Sequence, residues 1–253
     1  MASTVEIVAA GVVGALIGSF LNVVIWRLPR DESIVSPGSR CPACERPIAA
    51  YDNLPVVSWL VLRGRCRHCG APISPRYPLV ELLTAVAFAI VVAVRGFDSG
   101  LVLELPFVAC LIALAGIDYD HQLLPNRIVY PMAAYGALAA FAVDRGDFPE
   151  HLAAAAGAFL FLLVVLVAYP RGMGMGDVKL AGAMGLYLGL SIIPSMLVAF
   201  LAGSVVGLVI VAREGAQARK KAIAFGVFLA LGGVVGVVAG PELIDLYESN
   251  FLG

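Results

Sequence analysis

The sequence predicts an all-α polytopic membrane protein of about eight transmembrane helices, with one small polar loop domain between the first two. Three observations predict it. Of 253 residues, 60% are hydrophobic and only 14% are charged, against roughly 25% charged in an average soluble domain. Apolar runs long enough to cross a bilayer, which takes about 20 residues or slightly fewer, recur along the whole chain. The one long polar segment carries two Cys-x-x-Cys pairs. The shortage of charge excludes a conventional soluble globular protein, a disordered chain and a nucleic-acid binder built on a basic surface. The net charge of −1 points to no partner.

The spans fall, in order, at residues 5–26, 79–95, 101–117, 128–143, 152–169, 176–192, 195–212 and 222–240. The first lacks a basic segment ahead of it, and its Arg residues follow the apolar run, so it reads as an uncleaved anchor rather than a signal peptide. The next four are separated by short polar or charged connections. The sixth and seventh come from one apolar run of 33 residues, Leu180 to Ala212. As one helix this run would be about 50 Å long at 1.5 Å per residue, against a hydrocarbon core about 30 Å thick. Pro194, flanked by Ser191 and Ser195, is the expected break. No internal repeat, coiled coil or low-complexity tract is evident.

The positive-inside rule tests this arrangement. Eight alternating spans put fifteen of the 17 Lys and Arg residues at one side, including Arg171, Lys179, Arg213, Arg219, Lys220 and Lys221; only Arg95 and Arg145 fall opposite. A single span over Leu180–Ala212 would reduce that bias to eleven against six. The expectation is therefore a multi-pass membrane protein with its basic loops cytoplasmic and both termini outside. Its parts are a first helix (1–26), a cytoplasmic four-cysteine domain (27–78) and a seven-helix membrane domain (79–253).

Residues 27–78 contain Cys41-Pro42-Ala43-Cys44 and Cys66-Arg67-His68-Cys69, with 21 residues between the pairs. Two such knuckles read as a zinc ribbon: each offers two thiolates on one side of a tight turn, and together they complete a tetrahedral four-sulfur site. Four cysteines leave no open position, so the zinc would be structural. Disulfides or free thiols are the alternative, and the reducing cytoplasmic side disfavours the former. His68 reads as a solvated bystander and Cys110 as a small core residue.

Ionisable groups near a membrane span are costly and are functional candidates by default. Asp118 and Asp120 lie where the third span meets the cytoplasm, and Asp177 opens the sixth. The topology places Asp118 and Asp177 at the same depth on the same side. Two carboxylates that meet there suggest aspartic-protease chemistry: one takes a proton from water while the other, protonated, polarises the scissile carbonyl. The ordinary alternatives are that Asp118 and Asp120 end a helix among headgroups and that Asp177 caps one. Physics alone does not separate Asp118 from Asp120, since both precede the same Leu-Pro turn. Gly172, Gly174 and Gly176 would let an extended peptide approach Asp177. A dinucleotide loop is disfavoured because no βαβ pattern surrounds them. Ser19, Asn22 and Glu81 are further polar groups within spans, and they serve either function or interhelical hydrogen bonding.

Taken together, these motifs resemble the bacterial type IV prepilin peptidases, the leader peptidase/N-methyltransferase family of GxGD-type membrane aspartic proteases. The resemblance rests on Gly18–Arg30 (GSFLNVVIWRLPR), the four-cysteine loop, Tyr51–Leu60, Arg76–Thr84, the run IDYDHQLLPN and the run GMGMGDVKL. It implies that Asp118 and Asp177 are the catalytic pair. It implies cleavage of the basic leader of type IV prepilins or type II secretion pseudopilins, after a Gly, on the cytoplasmic side. It further implies N-methylation of the new N-terminus with S-adenosylmethionine, because the chain keeps the cysteine loop. The substrate would be a membrane-embedded protein, with the lipid bilayer as the other partner and no nucleic acid. Asn126 departs from the family pattern, where many members carry Asp. The competing functions are a multi-span transporter or channel with a cytosolic zinc-ribbon sensor, and a non-enzymatic assembly factor that docks partners through the ribbon.

Overall fold

The computed structural model describes residues 2–143, 145–170, 172–215 and 223–251. Arg171, Arg219, Lys220, Lys221 and the expected start of the last span at Ala222 lie outside them. The described residues form helices and connecting turns, with no named strand. Six segments are long and apolar enough to cross a membrane; one of these, Met175–Glu214, joins two helices. The chain divides into two compact units, Met1–Phe97 and Asp98–Gly253.

The first unit pairs two long helices, α1 (Thr4–Arg27) and α3 (Arg76–Arg95), with the cysteine loop and a short helix α2 (Val57–Val61) between them. The start of α1 is set by a reciprocal cap: the Glu6 amide donates to Ser3 Oγ at 3.3 Å, and the Ser3 amide donates to the Glu6 carboxylate at 2.6 Å. α1 and α3 run antiparallel, with Gly14 against Thr84 and Phe88 and Gly18 against Glu81. A Cβ on Gly18 would stand 2.7 Å from the Glu81 Cα. Lipid tails are as apolar as leucine, so close backbone approach between small residues is what holds such a pair.

The loop contains a repeat that the sequence reading did not identify. Residues 40–48 read RCPACERPI and residues 65–73 read RCRHCGAPI. The two segments close the same way. The Cys41 amide donates to the Arg46 carbonyl and the Cys66 amide to the Ala71 carbonyl, while Glu45 and Gly70 donate back to Cys41 and Cys66. Arg40 bridges to Pro47 as Arg65 does to Pro72. A bidentate ion pair fixes the second knuckle from outside: Arg67 Nε lies 2.8 Å and an Arg67 terminal nitrogen 2.6 Å from the Asp52 carboxylate oxygens. The Arg67 guanidinium beside Asp52 holds that carboxyl below its ordinary range.

The second unit contains α4 (Leu101–His121), α5 (Asn126–Val143), α6 (Phe148–Ala168), α7 (Met175–Leu188), α8 (Ile192–Glu214) and α9 (Phe225–Phe251). α7 is apolar on all sides and buried along nearly its whole length, as expected for the centre of a membrane bundle. Its Leu180 and Met184 join Phe107, Leu111, Leu114 and Ile117 of α4 and Leu229 of α9 in a fully buried core. Tyr187 stacks on Phe107 with ring centroids 4.4 Å apart and donates its hydroxyl to the Met132 carbonyl at 2.6 Å. The outer helix α6 instead turns Leu160, Phe161, Val164 and Val167 outward, a surface suited to hydrocarbon rather than water.

The contacts give each helix a direction. Along α9, Gly226 meets Asp118 while Gly233 meets Leu111 and Phe107, so α4 runs antiparallel to it. Gly233 also meets Met184 and Gly236 meets Leu188, so α7 runs parallel to α9. Ser195 packs on Gly232 and Gly236, and Ile223 faces Gly207, so α8 runs antiparallel. α6 is antiparallel to α7 through Gly182 on Phe159 and Gly185 on Ala155, and α5 is parallel to α7 through Asn126 on Lys179 and Gly136 on Tyr187. The six helices alternate, and their ends fall in two layers.

Two boundaries differ from the sequence expectation. The run 180–212 breaks at a 3₁₀ turn over Gly189–Ser191, and Pro194 sits in the first turn of α8, where its missing N–H costs no helical bond. Gly189 carries the left-handed φ of +51° that the reversal needs. Glu150 then accepts the Leu190 amide at 2.9 Å, and His151 Nδ1 lies 2.9 Å from the Leu186 carbonyl oxygen. The second difference is at the end of the chain. α9 continues through Pro241 to Phe251 rather than ending near 240. A proline removes one ladder bond, which neighbouring groups in a bundle can replace.

Candidate active site

Asp118 lies in the last turn of α4, and the chain leaves that helix abruptly after it. Gln122 takes a left-handed cap with φ +51° and donates its amide to the Asp118 carbonyl at 2.8 Å. Leu123, Leu124 and Pro125 make the turn, and α5 begins at Asn126. Asp118 is 5% exposed, whereas Asp120, two residues on, is exposed. The backbone amides of Gly226 and Val227, in the first turn of α9, face the Asp118 carboxylate. Its Oδ2 atom is buried with no hydrogen-bond partner among the described residues.

Asp177 is the third residue of α7. Its amide donates to the Gly174 carbonyl at 3.1 Å, and its carboxylate accepts the Gly174 amide at 3.0 Å. This reciprocal closure is the capping geometry that the sequence admits, and it leaves the carboxylate buried, at 8% exposure. The extended Gly174 backbone thus spends both its polar groups on Asp177. Gly176 is required for a different reason: a Cβ there would stand 3.0 Å from the Leu124 Cβ. The glycine loop and the Leu-Pro turn pack directly together.

Asp118 and Asp177 line one cavity of about 240 Å³ with Gln122, Leu123, Leu124, Asn126, Gly174, Gly176 and Lys179. The two carboxylates thus face one shared space from different helices. The sequence reading missed three parts of the cavity and its immediate surroundings. Gly226 and Val227 lie far from both aspartates in the chain, and nothing marks them out in a glycine-rich apolar segment. Leu124 is the turn's buried floor. Lys179 and Asn126 join at the rim, with Lys179 Nζ donating to Asn126 Oδ1 at 3.2 Å. Here the signal was present: a lysine inside an apolar run is as unusual as an aspartate.

In the first unit the four loop cysteines converge. Their sulfurs all lie within 4.8 Å of one another, with Cys41 and Cys69 3.8 Å apart. Tetrahedral zinc with Zn–S bonds of about 2.3 Å sets its sulfurs about 3.8 Å apart, so the cluster fits that ion. Backbone amides of Cys44 and Ala43 bring the Cys41 thiol down, while Cys69, despite the Ala71 amide, is pushed up by burial and the neighbouring thiols, so the group favours its first thiolate at Cys41. Cys110 is half-buried on α4, apart from this group. The polar groups within the α1–α3 pair are satisfied locally. Asn22 donates to the Tyr77 carbonyl at 3.0 Å, and Glu81 accepts the Val56 amide at 2.7 Å with Ser19 beside it. Val56 adopts φ +61°, a strained value for a β-branched residue, and the Glu81 contact is what pins it.

Comparison with known proteins agrees with this architecture. The Bacterial Peptidase A24 N-terminal domain matches residues 12–95, and the Type IV leader peptidase family matches residues 105–212. A protein of Myxococcus xanthus (strain DK1622) named prepilin leader peptidase/N-methyltransferase is 42% identical over 210 residues, covering 81% of this chain and 63% of that protein. A protein of the same name from Aeromonas hydrophila is 38% identical over 270 residues, 94% of this chain and 92% of its own length. Another from Neisseria gonorrhoeae is 38% identical over 271 residues, 92% and 91% of the respective chains. The chain therefore spans less than two thirds of the Myxococcus protein and nearly all of the other two. No solved structure matches it. Two matched domains in order, and relatives alike over nearly their full length, mean that the chain belongs to the type IV leader peptidase family.

Proposed function

We propose that this protein is a membrane aspartic endopeptidase that removes the leader of type IV prepilins and pseudopilins and then methylates the new N-terminus. One observation carries the reading: two buried carboxylates, Asp118 and Asp177, arrive from different helices on one cavity at the end of the bundle. In the reaction one carboxylate takes a proton from water as its oxygen attacks the scissile carbonyl. The other donates a proton to that carbonyl oxygen. The tetrahedral intermediate then collapses, the C–N bond breaks, and the leaving amine receives a proton from the pair. Leu124, buried beneath the turn, keeps water from the floor of the cavity, which strengthens each of these interactions.

The substrate is itself a membrane helix, so its cleavage site meets the bilayer edge where these helix ends lie. The basic residues clustered at that end support a cytoplasmic active site in the bacterial inner membrane. The four-cysteine cluster holds a structural zinc, a reading supported by the sulfur spacing. S-adenosylmethionine supplies the methyl group, and the first unit, with its cysteine loop, provides the walls for that donor. The family membership leaves the transporter and docking readings without an observation to carry them.

The test uses purified protein and a prepilin in detergent. Wild type cleaves, and Asp118→Asn and Asp177→Asn each lose at least about a thousandfold in rate, as expected when a proton-transfer group is removed. Asp120→Asn retains activity. Cleavage retained by Asp118→Asn and lost by Asp120→Asn would falsify the pairing. Labelled methyl transferred to the cleaved product tests the second activity.

A further inference from the structure

We propose that Lys179 determines substrate specificity: its ammonium group reads the charge of a substrate side chain beside the scissile peptide, accepting a carboxylate and excluding a cation. The inference rests on the peptidase reading of the cavity and goes beyond it. Lys179 lines the same cavity as Asp118 and Asp177. It stands two residues after Asp177 on α7, so the two side chains point in different directions from one helix. The lysine therefore flanks the carboxylates rather than pairing with them.

Its head is held in place. Nζ donates to Asn126 Oδ1 at 3.2 Å and lies 5.3 Å from the centre of the Tyr130 ring. Both partners are neutral, and among the described residues no carboxylate is within ion-pair distance of it. The tether uses one of three N–H donors and leaves two directed elsewhere. The cavity it borders is open to solvent and mixed in lining, with Leu124 its buried apolar part, so a charge carried by a bound peptide meets the ammonium across a partly solvated gap. A positioned cation with no ion pair of its own among the described residues, at the edge of a reaction cavity, is an arrangement that discriminates between charged peptides. At a contact distance the preference amounts to about tenfold or more in this partly solvated setting. An extended chain advances roughly 3.5 Å per residue, and the leader removed is itself basic, so the position read lies within a few residues of the cut on its mature side.

The experiment uses full-length protein in detergent and a prepilin series. Each position from three before to three after the cut is changed in turn to Glu, Gln or Lys, and kcat/KM is measured. In wild type, one position shows Glu preferred over Lys by about tenfold. Lys179→Glu inverts the preference there. Lys179→Met removes it, Asn126→Asp weakens it by supplying a resident carboxylate, and Lys179→Arg keeps it. Ratios that stay the same across these variants at every position overturn the proposal. So does loss of cleavage of all substrates, the Gln series included, in Lys179→Met and Asn126→Asp while Lys179→Arg is active, because the lysine would then merely hold the cavity together. Variants that alter only the response to added phosphatidylglycerol overturn it in favour of a lipid phosphate. Wild type that cuts none of the series overturns the peptidase reading itself, which is a distinct result.

Discussion

Asp118 and Asp120 stand two residues apart on one helix and meet different surroundings, because two residues of α-helix turn the side chain by about 200°. One faces the cavity beneath α9 and the other faces outward. The aspartates were legible in the sequence because carboxylates are rare in so apolar a chain. The choice of Asp118 over Asp120 rested on family resemblance alone, since the helix's rotational setting comes from packing. Gly226 was not legible at all. A Cβ there would stand 2.8 Å from Asp118 Oδ2 and 2.9 Å from Leu124 Cδ2, both buried. Gly226→Ala should therefore push the carboxylate out of place and lower prepilin cleavage by at least about tenfold, with overpacking costing about 1–3 kcal/mol of stability. Gly157→Ala on α6, where a Cβ meets nothing within 4 Å, is the matched control and should cleave at the wild-type rate. Equal rates for the two variants would show that α9 does not position Asp118.

At the scale of elements, the cysteine spacing announced the two knuckles, but their kinship was hidden. Only the cysteines and a few common residues repeat, and the shared hydrogen bonding is a property of backbone. The comparison of the two turns exposes a local conflict. Gly70 takes φ +71° at the residue after its second cysteine, and Glu45 takes φ +56° at the equivalent place. A left-handed conformation costs a non-glycine residue roughly 1–2 kcal/mol. Glu45→Gly should relieve most of that, less about 0.5–1 kcal/mol of added unfolded-state entropy. The loop should then release zinc to a chelator more slowly, measured with a chromogenic chelator on detergent-solubilised protein. Faster release would mean that the Glu45 side chain contributes something its strain does not outweigh. A similar limit applies to the helix break at 189–191. Proline is visible in a sequence, but Gly189 becomes the hinge only because Glu150 from another helix waits to take the freed amide.

The whole molecule raises the question of how many times the chain crosses the membrane. The segment Met175–Glu214 is 40 residues long and apolar throughout, and hydropathy alone reads it as one crossing. The direction of its two halves argues otherwise. α7 runs from the aspartate end of the second unit to the far end, and α8 runs back, with Ser195 near Gly236 and Gly207 near Ile223. Alternation of all six helices returns Arg213 to the layer that holds Asp118, where the positive-inside rule wants it. In the sequence this distinction was legible only as a charge count, because a membrane helix carries no amphipathic pattern to report its neighbours. A topology reporter that is active only outside the membrane separates the cases. Fused after Leu190 it should be active, and fused after Glu214 it should be silent. Activity at both sites would mean that Met175–Glu214 crosses once, which would part the basic residues after it from the side of Asp118 and reduce the charge bias to eleven against six.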